Sequence, residues 1–152
     1  MGRIDDRLRE LGIALAVAPP PVANYIPARR FGNLAQTAGQ VSRLGERDYK
    51  GKLGDTFGID EGRAATRACA INCLAALLTV LDSLDQIKQI VGVHGFVNST
   101  LEFDGHAAVM NGASDLMVEV FGEVGKHTRT AVGVAGLPLG YAASVYVVVE
   151  LN

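Results

Sequence analysis

Several residue types that mark particular classes of protein are scarce in this 152-residue sequence. It contains no Trp, its aromatic residues make up 6%, and its formal net charge is −2. Proteins that bind nucleic acid by bulk electrostatics carry a basic excess, and those that stack bases need aromatic side chains. The pair Arg29-Arg30 is a small basic patch, too small to recognise nucleic acid without aromatic partners, so we expect no nucleic-acid partner.

Cysteine and histidine are also rare. Cys69 and Cys73 stand four residues apart in a helical pattern, and His94, His106 and His127 do not have the spacing of metal ligands. Two cysteines make no disulfide framework and no zinc set, so we interpret them as small apolar residues on a helix face. We expect no metal, no cofactor and a reducing, cytoplasmic environment.

Long hydrophobic runs are absent as well. No stretch reaches the length of a membrane span, and residues 1–8 carry acids where a signal peptide has an apolar core. We therefore expect no membrane partner. The length and the 49% apolar content suit one domain over residues 1–152, in which residues 1–21 form an N-terminal helix and a Pro-rich connector.

The N-terminal part has two features before its first hairpin. Ile4, Leu8 and Leu11 have the spacing of a short amphipathic helix that ends at Gly12, and residues 15–17 predict a brief strand. Residues 19–21 are three prolines, which end regular structure.

A β-hairpin is predicted over residues 25–31 and 34–41, joined by Gly32-Asn33. Gly39 lies inside the second strand, where a glycine either marks a bulge or lets a ligand approach the backbone closely. Residues 43–60 are polar and glycine-rich. They predict either a flap over a site or a disordered surface loop.

In the rest of the chain, segments with the hydrophobic periodicity of a helix alternate with segments that have the composition of strands. Asp60 is a candidate N-cap for a helix that runs to about Leu81, and a second helix is predicted from Asp104 or Gly105 to Gly122 or Gly125. Strands are predicted over residues 87–98, 130–134 and 143–151.

The resulting order, β-β-α-β-α-β-β, predicts an α+β fold in which one mixed sheet carries both helices on one face. In the last strand Val145, Val147 and Val149 alternate with Tyr146 and Val148, so both faces of the sheet are apolar. Two helices cover one face only. We expect a homo-oligomer to cover the other.

Arg129 stands where the second helix gives way to a buried strand. A cation at such a place is costly unless an anion or hydrogen-bond acceptors meet it, and guanidinium presents a planar fork of donors. Two interpretations follow from the residues alone: a binding group for a carboxylate or phosphate, or a structural salt bridge. His127, two residues earlier, is either an acid or base near such a site or a surface histidine. Asn111 is interpreted as a solvent-facing helix residue.

The chain from about Tyr25 to the end resembles the YjgF/Rid family of enamine and imine deaminases, some known as L-PSP endoribonucleases, which share a chorismate-mutase-like fold. The resemblance rests on Tyr25, Gly32-Asn33 and Thr37-Ala38-Gly39-Gln40 in the hairpin, and on Arg129-Thr130-Ala131-Val132 with Leu137-Pro138 near the C-terminus.

The resemblance implies a homotrimer whose sheets form a central barrel, with a ligand cleft at each subunit interface. In the cleft Arg129 would bind the carboxylate of a small-molecule ligand, and Ala38 and Gly39 would line it with backbone groups. Tyr25 would close the cleft, and the backbone of Ala131 would help hold the amine or water. Deaminating members carry a glutamate at the position of Ser144, and serine cannot act as a carboxylate base.

Three functional hypotheses follow from the resemblance and from this departure. The first is hydrolysis of 2-imino or 2-enamino acids to 2-keto acids and ammonia, with Arg129 and Ser144 as the catalytic residues. The second is a catalytically silent module that binds or senses a small carboxylate. The third is endoribonuclease activity, which neither charge nor composition favours.

Overall fold

The computed structural model describes residues 2–152 as a mixed sheet with its helices on one face. The helices are α1 (Arg3–Glu10), α2 (Ile59–Leu77) and α3 (His106–Phe121); the strands are β1 (Ala28–Phe31), β2 (Leu34–Thr37), β3 (Gln40–Val41), β4 (Arg43–Leu44), β5 (Arg47–Asp48), β6 (Ile87–Asn98), β7 (Thr128–Val134) and β8 (Ala143–Leu151). The predicted α+β arrangement is confirmed.

The six-stranded sheet has the order β1-β2-β8-β6-β7, and β3 also pairs with β8. β6 and β7 are parallel, as a helical crossover requires, and the other pairs are antiparallel. The long strands β6 and β8 have their predicted bounds. β7 begins at Thr128, two residues earlier than predicted, so Arg129 lies within the strand. β7 is an edge strand.

The predicted hairpin forms, but both of its strands are shorter than expected. β1 begins at Ala28 because Pro27 has no N–H to pair; its carbonyl accepts a hydrogen bond from the Ala38 amide at 2.7 Å. The return strand breaks at residues 38–39. β2 pairs Gln36 with Val148, whereas β3 pairs Gln40 with Val145, a shift of one residue. The interpretation of Gly39 as a bulge residue is therefore confirmed.

The hydrophobic core lies between the sheet and the helices. Odd-numbered residues of β8 from Ala143 to Leu151 are buried against it, as the alternation predicts. α2 and α3 pack closely because Gly112 of α3 lies against the backbone of Arg63 in α2. α1 adds Ile4 and Leu8 to the same layer. α2 begins at Ile59 with Gly58 as its N-cap, and it ends at Leu77 rather than near Leu81.

The structure corrects the predictions for two irregular segments. Residues 15–17 form no strand, because nothing in the described chain pairs with them; Leu15 packs against the core instead. Residues 43–60 are not a disordered loop, and the flap stays a prediction. They contain the β4–β5 hairpin and two buried side chains, Tyr49 and Leu53, and the Leu53 amide donates to the carbonyl of Asn98 at 2.9 Å.

The face of the sheet opposite the helices is partly apolar and carries no covering layer from residues 2–152. His94 and Phe96 of β6 and Tyr146 of β8 stack across it, with ring centroids 4.7 Å apart for His94–Tyr146 and 6.4 Å for Phe96–Tyr146. All three side chains are half-buried, and Val132 beside them is exposed. We call this surface, with Ser144 and Val148, the open face.

Candidate functional site

Arg129 lies on β7 with its side chain toward α3. One terminal nitrogen, Nη1, donates to the Asn111 Oδ1 atom at 2.8 Å and to the Ser114 Oγ atom at 3.3 Å. Within residues 2–152 Arg129 forms no salt bridge, and its Nε–H and Nη2–H groups have no hydrogen-bond partner. The guanidinium is thus oriented on one side, and the edge formed by Nε and Nη2 is available to a bidentate anion.

Behind Arg129, Ser114 and His127 extend the hydrogen-bond chain. His127 Nδ1 lies 2.6 Å from the carbonyl oxygen of Gly125, which can only accept, so Nδ1 carries the proton. In the neutral ring Nε2 then accepts from the Ser114 hydroxyl at 2.9 Å, while the Ser114 oxygen accepts from Arg129. His127 is half-buried and lies near Arg129, and a role for it as an acid or base stays a prediction. Its contact with Arg129 runs through Ser114.

A second group of predicted residues lies around the bulge of the hairpin. Gly39 faces Ser144 so closely that a Cβ at position 39 would be 2.9 Å from the Ser144 Oγ atom. Ala38 is half-buried beside it. Tyr25 lies two residues before Pro27, which bonds to Ala38, so it belongs to the same end of the hairpin; its side chain is 55% exposed. A hollow of about 250 Å³ adjoins Ala38.

One copy of the chain does not bring these two groups together. Arg129 and Ala131 are on β7, whereas Ser144 is on β8, and β6 runs between those strands. Adjacent strands are about 4.8 Å apart, so the separation across the sheet is about 10 Å. The side chains also project from opposite faces: Arg129 toward α3, Ser144 on the open face. A site containing both groups requires a second copy of the chain.

Asn111 was interpreted from the sequence as solvent-facing, and this is wrong: it is half-buried and holds Arg129. Ser114 was not singled out. The signal that could have found both is their spacing. They are three residues apart on the helix that precedes β7, so they share one helix face. A polar pair on that face, directly before a strand with an arginine, predicts a contact with that arginine.

The other hollows do not coincide with the predicted residues. One of them, about 660 Å³, lies between α1 and the end of α3 and is lined by residues such as Arg7 and Glu10, which pair with each other at 3.0 Å. Residues 2–152 hold no cluster of three His, Cys, Asp or Glu side chains that suits a metal ion. None of the described helices combines the length and the apolar character that a membrane span needs.

Residues 5–151 match a family model described as "YjgF/chorismate mutase-like, putative endoribonuclease". The chain belongs to the YjgF family. Protein TCP17 of Trypanosoma cruzi is 42% identical over 153 residues, which cover 99% of this chain and 96% of TCP17. The resemblance carried by the hairpin and by the Arg129 motif is therefore confirmed.

Solved structures of YjgF-like proteins share the fold. The Agrobacterium tumefaciens protein Atu1372, of unknown function, is 36% identical with a TM-score of 0.91, and the match covers 98% of this chain and 92% of Atu1372. E. coli TdcF, solved with bound serine, is 17% identical with a TM-score of 0.61, covering 90% of this chain and 94% of TdcF. This second likeness shows the fold alone.

Proposed function

We propose that this YjgF family member binds a small carboxylate metabolite in a cleft between two copies of the chain, with Arg129 as the anion-binding residue. The observation that carries the proposal is the state of Arg129. Its guanidinium is oriented by Asn111 and Ser114, has no carboxylate partner among the described residues, and keeps one bidentate edge available. A 2-oxo, 2-imino or amino acid presents the planar carboxylate that this edge fits.

The separation of the two residue groups supports a cleft between subunits. Because Arg129 and Ser144 project from opposite faces of one sheet, the Gly39–Ser144 group that meets Arg129 belongs to a neighbouring copy. The open face supplies a reason for the copies to associate, since Phe96, Tyr146 and Val148 would be buried. We propose the homotrimer that the resemblance implies. TdcF, with serine bound, is a protein of the same fold that holds a small amino acid.

For the reaction we propose hydrolysis of 2-imino and 2-enamino acids. With the carboxylate on Arg129, the imine carbon would lie near the backbone of Ala131 and near Gly39 of the neighbouring copy. Water would add to that carbon and ammonia would leave, giving the 2-oxo acid. Ser144 would hold the water by a hydrogen bond, which orients it without removing its proton.

The proposal is tested by adding the protein to 2-iminobutanoate generated by an amino-acid oxidase and measuring the rate of 2-oxobutanoate formation. Calorimetric titration with 2-oxobutanoate measures binding separately. We expect Arg129→Lys, which keeps the charge but loses the fork, to weaken binding at least tenfold, about 1.4 kcal/mol. Arg9→Lys, an exposed arginine of α1 paired with Asp6, is the matched control. Equal binding by wild type and Arg129→Lys would contradict the proposal.

A catalytically silent binding module is the second candidate, and Ser144 favours it. Without a carboxylate at this position the site has no general base, a group that typically contributes about 10²–10⁴-fold to a rate. This candidate predicts saturable binding of 2-oxobutanoate without acceleration of imine hydrolysis. Ser144→Glu would then create turnover, since position 144 faces Gly39, and Ser144→Gln is the neutral control. Turnover by wild type that Ser144→Glu does not raise would exclude this candidate.

Endoribonuclease activity, named in the description of the family, is the third candidate. Arg129 and its polar partners do not by themselves favour RNA, and the net charge is −2. RNA cleavage that survives repurification and is lost in Arg129→Lys would support it.

A further inference from the structure

Beyond Arg129, a second polar cluster lies on the same side of β7. Ser99 follows the end of β6, and His106 is the first residue of α3; the Ser99 Oγ atom is 3.2 Å from His106 Nε2. The edge of the Phe103 ring contacts the imidazole, with centroids 5.2 Å apart. This pair has no part in the site described above.

Gly133 of β7 leaves this pair accessible. A Cβ at position 133 would lie 2.6 Å from the Ser99 Oγ atom and would also overlap His106 Nε2. In place of a side chain there is a hollow of about 250 Å³, which the Ser99–His106 pair lines together with Leu101 and Phe103. Apart from His106, none of its lining residues is ionisable. The hollow thus offers the Ser99 hydroxyl and the His106 imidazole as hydrogen-bonding groups, beside apolar residues such as Phe103 and Val134.

The hollow lies in line with the anion-binding position. Alternate residues of a strand share one face, so Arg129, Ala131 and Gly133 all point to the α3 side. Arg129 contacts Asn111, and a Cβ built on Gly133 would overlap His106. Asn111 and His106 both belong to α3, so both positions on β7 face that helix. At about 3.3 Å per residue, Gly133 is about 13 Å along β7 from Arg129, and Ala131 lies between them on the strand.

From this arrangement we infer that the Ser99–His106 hollow is a specificity subsite for the side chain of the carboxylate ligand; the inference rests on the proposed function of Arg129. A ligand with its carboxylate on Arg129 and its α-carbon near Ala131 extends its side chain along β7 toward Gly133. The side chain that fits has an apolar stem of several carbons and a neutral end group that both donates and accepts, such as a carboxamide or a hydroxyl. A cationic end group would find no carboxylate among the residues that line the hollow and is disfavoured.

The test is calorimetric titration with two isosteric probes, adipamate (5-carbamoylpentanoate) and 6-methylheptanoate, which differ only in the polar character of the far end. Propionate serves as the short carboxylate that reaches Arg129 alone. We expect wild type to prefer adipamate by at least tenfold. Its carboxamide can exchange hydrogen bonds with Ser99 and His106, whereas the apolar end of 6-methylheptanoate displaces water from these groups without replacing its hydrogen bonds. Two variants should reduce that preference to about one: Ser99→Ala, which removes the hydroxyl, and Gly133→Ala, whose Cβ would overlap the Ser99–His106 pair.

Gly136→Ala is the matched control, since a Cβ there meets nothing within 4 Å, and it should keep the full preference. Thermal unfolding checks that Ser99→Ala and Gly133→Ala are folded. If wild type does not bind propionate, the proposed function of Arg129 fails and the subsite fails with it. If propionate binds but adipamate is no better than 6-methylheptanoate, or the preference survives in both variants, the subsite alone is overturned.

Discussion

Gly39 shows how much depends on one missing side chain. It lies at the bulge between β2 and β3. Apart from its chain neighbours, the one atom of residues 2–152 within 4 Å of a Cβ built there is the Ser144 Oγ atom, at 2.9 Å. A methyl group would therefore press on the hydroxyl that the proposed reaction uses and on little else. Arg129 matters for a different reason: its Nε–H and Nη2–H donors have no partner within residues 2–152, so they can bind a ligand.

We expect Gly39→Ala to weaken the binding of 2-oxobutanoate by about tenfold while changing the free energy of unfolding by less than 1 kcal/mol, since the crowded atom is the end of a side chain. Calorimetry and urea unfolding measure the two quantities. In Gly39→Ala/Ser144→Ala the clash is gone, and binding should recover. A double variant that binds as weakly as Gly39→Ala would show that the glycine has another role.

At the scale of elements, the sequence predicted strong periodic patterns well and local irregularities poorly. β6 and β8 have their predicted bounds because twelve and nine consecutive residues carry the pattern. The bulge at Gly39 could only be given as an alternative, since a glycine in a strand has several explanations. The packing of residues 43–60 depends on the distant residue Asn98, which no local pattern encodes.

The candidate site was also predictable only in part from the sequence. Arg129 stands out in the sequence as a cation before a buried strand, and the family motif named Gly39 and Ser144. The roles of Asn111 and Ser114 were not found, because they depend on which face of α3 meets β7. Likewise, the Ser99–His106 pair forms only because the end of β6 meets the start of α3. Such contacts are tertiary and leave no periodic signal.

The contact between α2 and α3 gives a prediction for stability. A Cβ on Gly112 would overlap the Arg63 carbonyl oxygen and come 2.5 Å from the Thr66 Oγ1 atom, which donates to the Val109 carbonyl at 2.7 Å. Overpacking costs about 1–3 kcal/mol or more, and alanine returns about 1 kcal/mol of helix propensity. We expect Gly112→Ala to lower the free energy of unfolding in urea by about 2 kcal/mol and Gly136→Ala to leave it unchanged. A Gly112→Ala protein of wild-type stability would contradict this packing.

The two cysteines of α2 give a prediction for alkaline pH. Burial raises the pKa of the Cys73 thiol to about 12, although its hydrogen bond from Thr37 acts in the opposite direction, and burial also raises the pKa of Cys69. Because the folded pKa exceeds the unfolded value of 9.0, this stabilisation is present below pH 9 and is lost as the pH rises toward 12.

We expect neither thiol to react with 5,5′-dithiobis(2-nitrobenzoate) at pH 8 until urea unfolds the protein. Above pH 9 the free energy of unfolding should fall by about 1.4 kcal/mol per pH unit for each buried thiol. Cys73→Val, similar in size and without a titrating group, should show a smaller fall. Rapid labelling of the native protein would show that the thiols are accessible.

For the whole molecule, the decisive feature is the open face. It joins half-buried rings of His94, Phe96 and Tyr146 to exposed Val132 on one surface, which residues 2–152 do not cover. Proteins seldom leave such a surface to water. The separation of Arg129 from Ser144 within one chain gives a second reason to expect association, since the proposed cleft is complete only between copies.

We expect size-exclusion chromatography with light scattering to give three times the chain mass of 16.0 kDa, about 48 kDa. Tyr146→Glu places a charge in the middle of the open face and should shift the mass to that of one chain, with loss of 2-oxobutanoate binding. Leu101→Glu changes a side chain that is 99% exposed and should leave the mass unchanged. A monomeric wild-type protein that still binds the ligand would contradict a site between subunits.

The most direct test of the central claim is a crystal structure of the protein grown with 2-oxobutanoate. We predict that the ligand carboxylate accepts hydrogen bonds from the free edge of Arg129 of one copy, while Gly39 and Ser144 of the neighbouring copy face its keto carbon. Asn111 and Ser114 should still hold Nη1, as they do without ligand. A ligand bound away from Arg129, or bound to Arg129 with no second copy nearby, would contradict the claim.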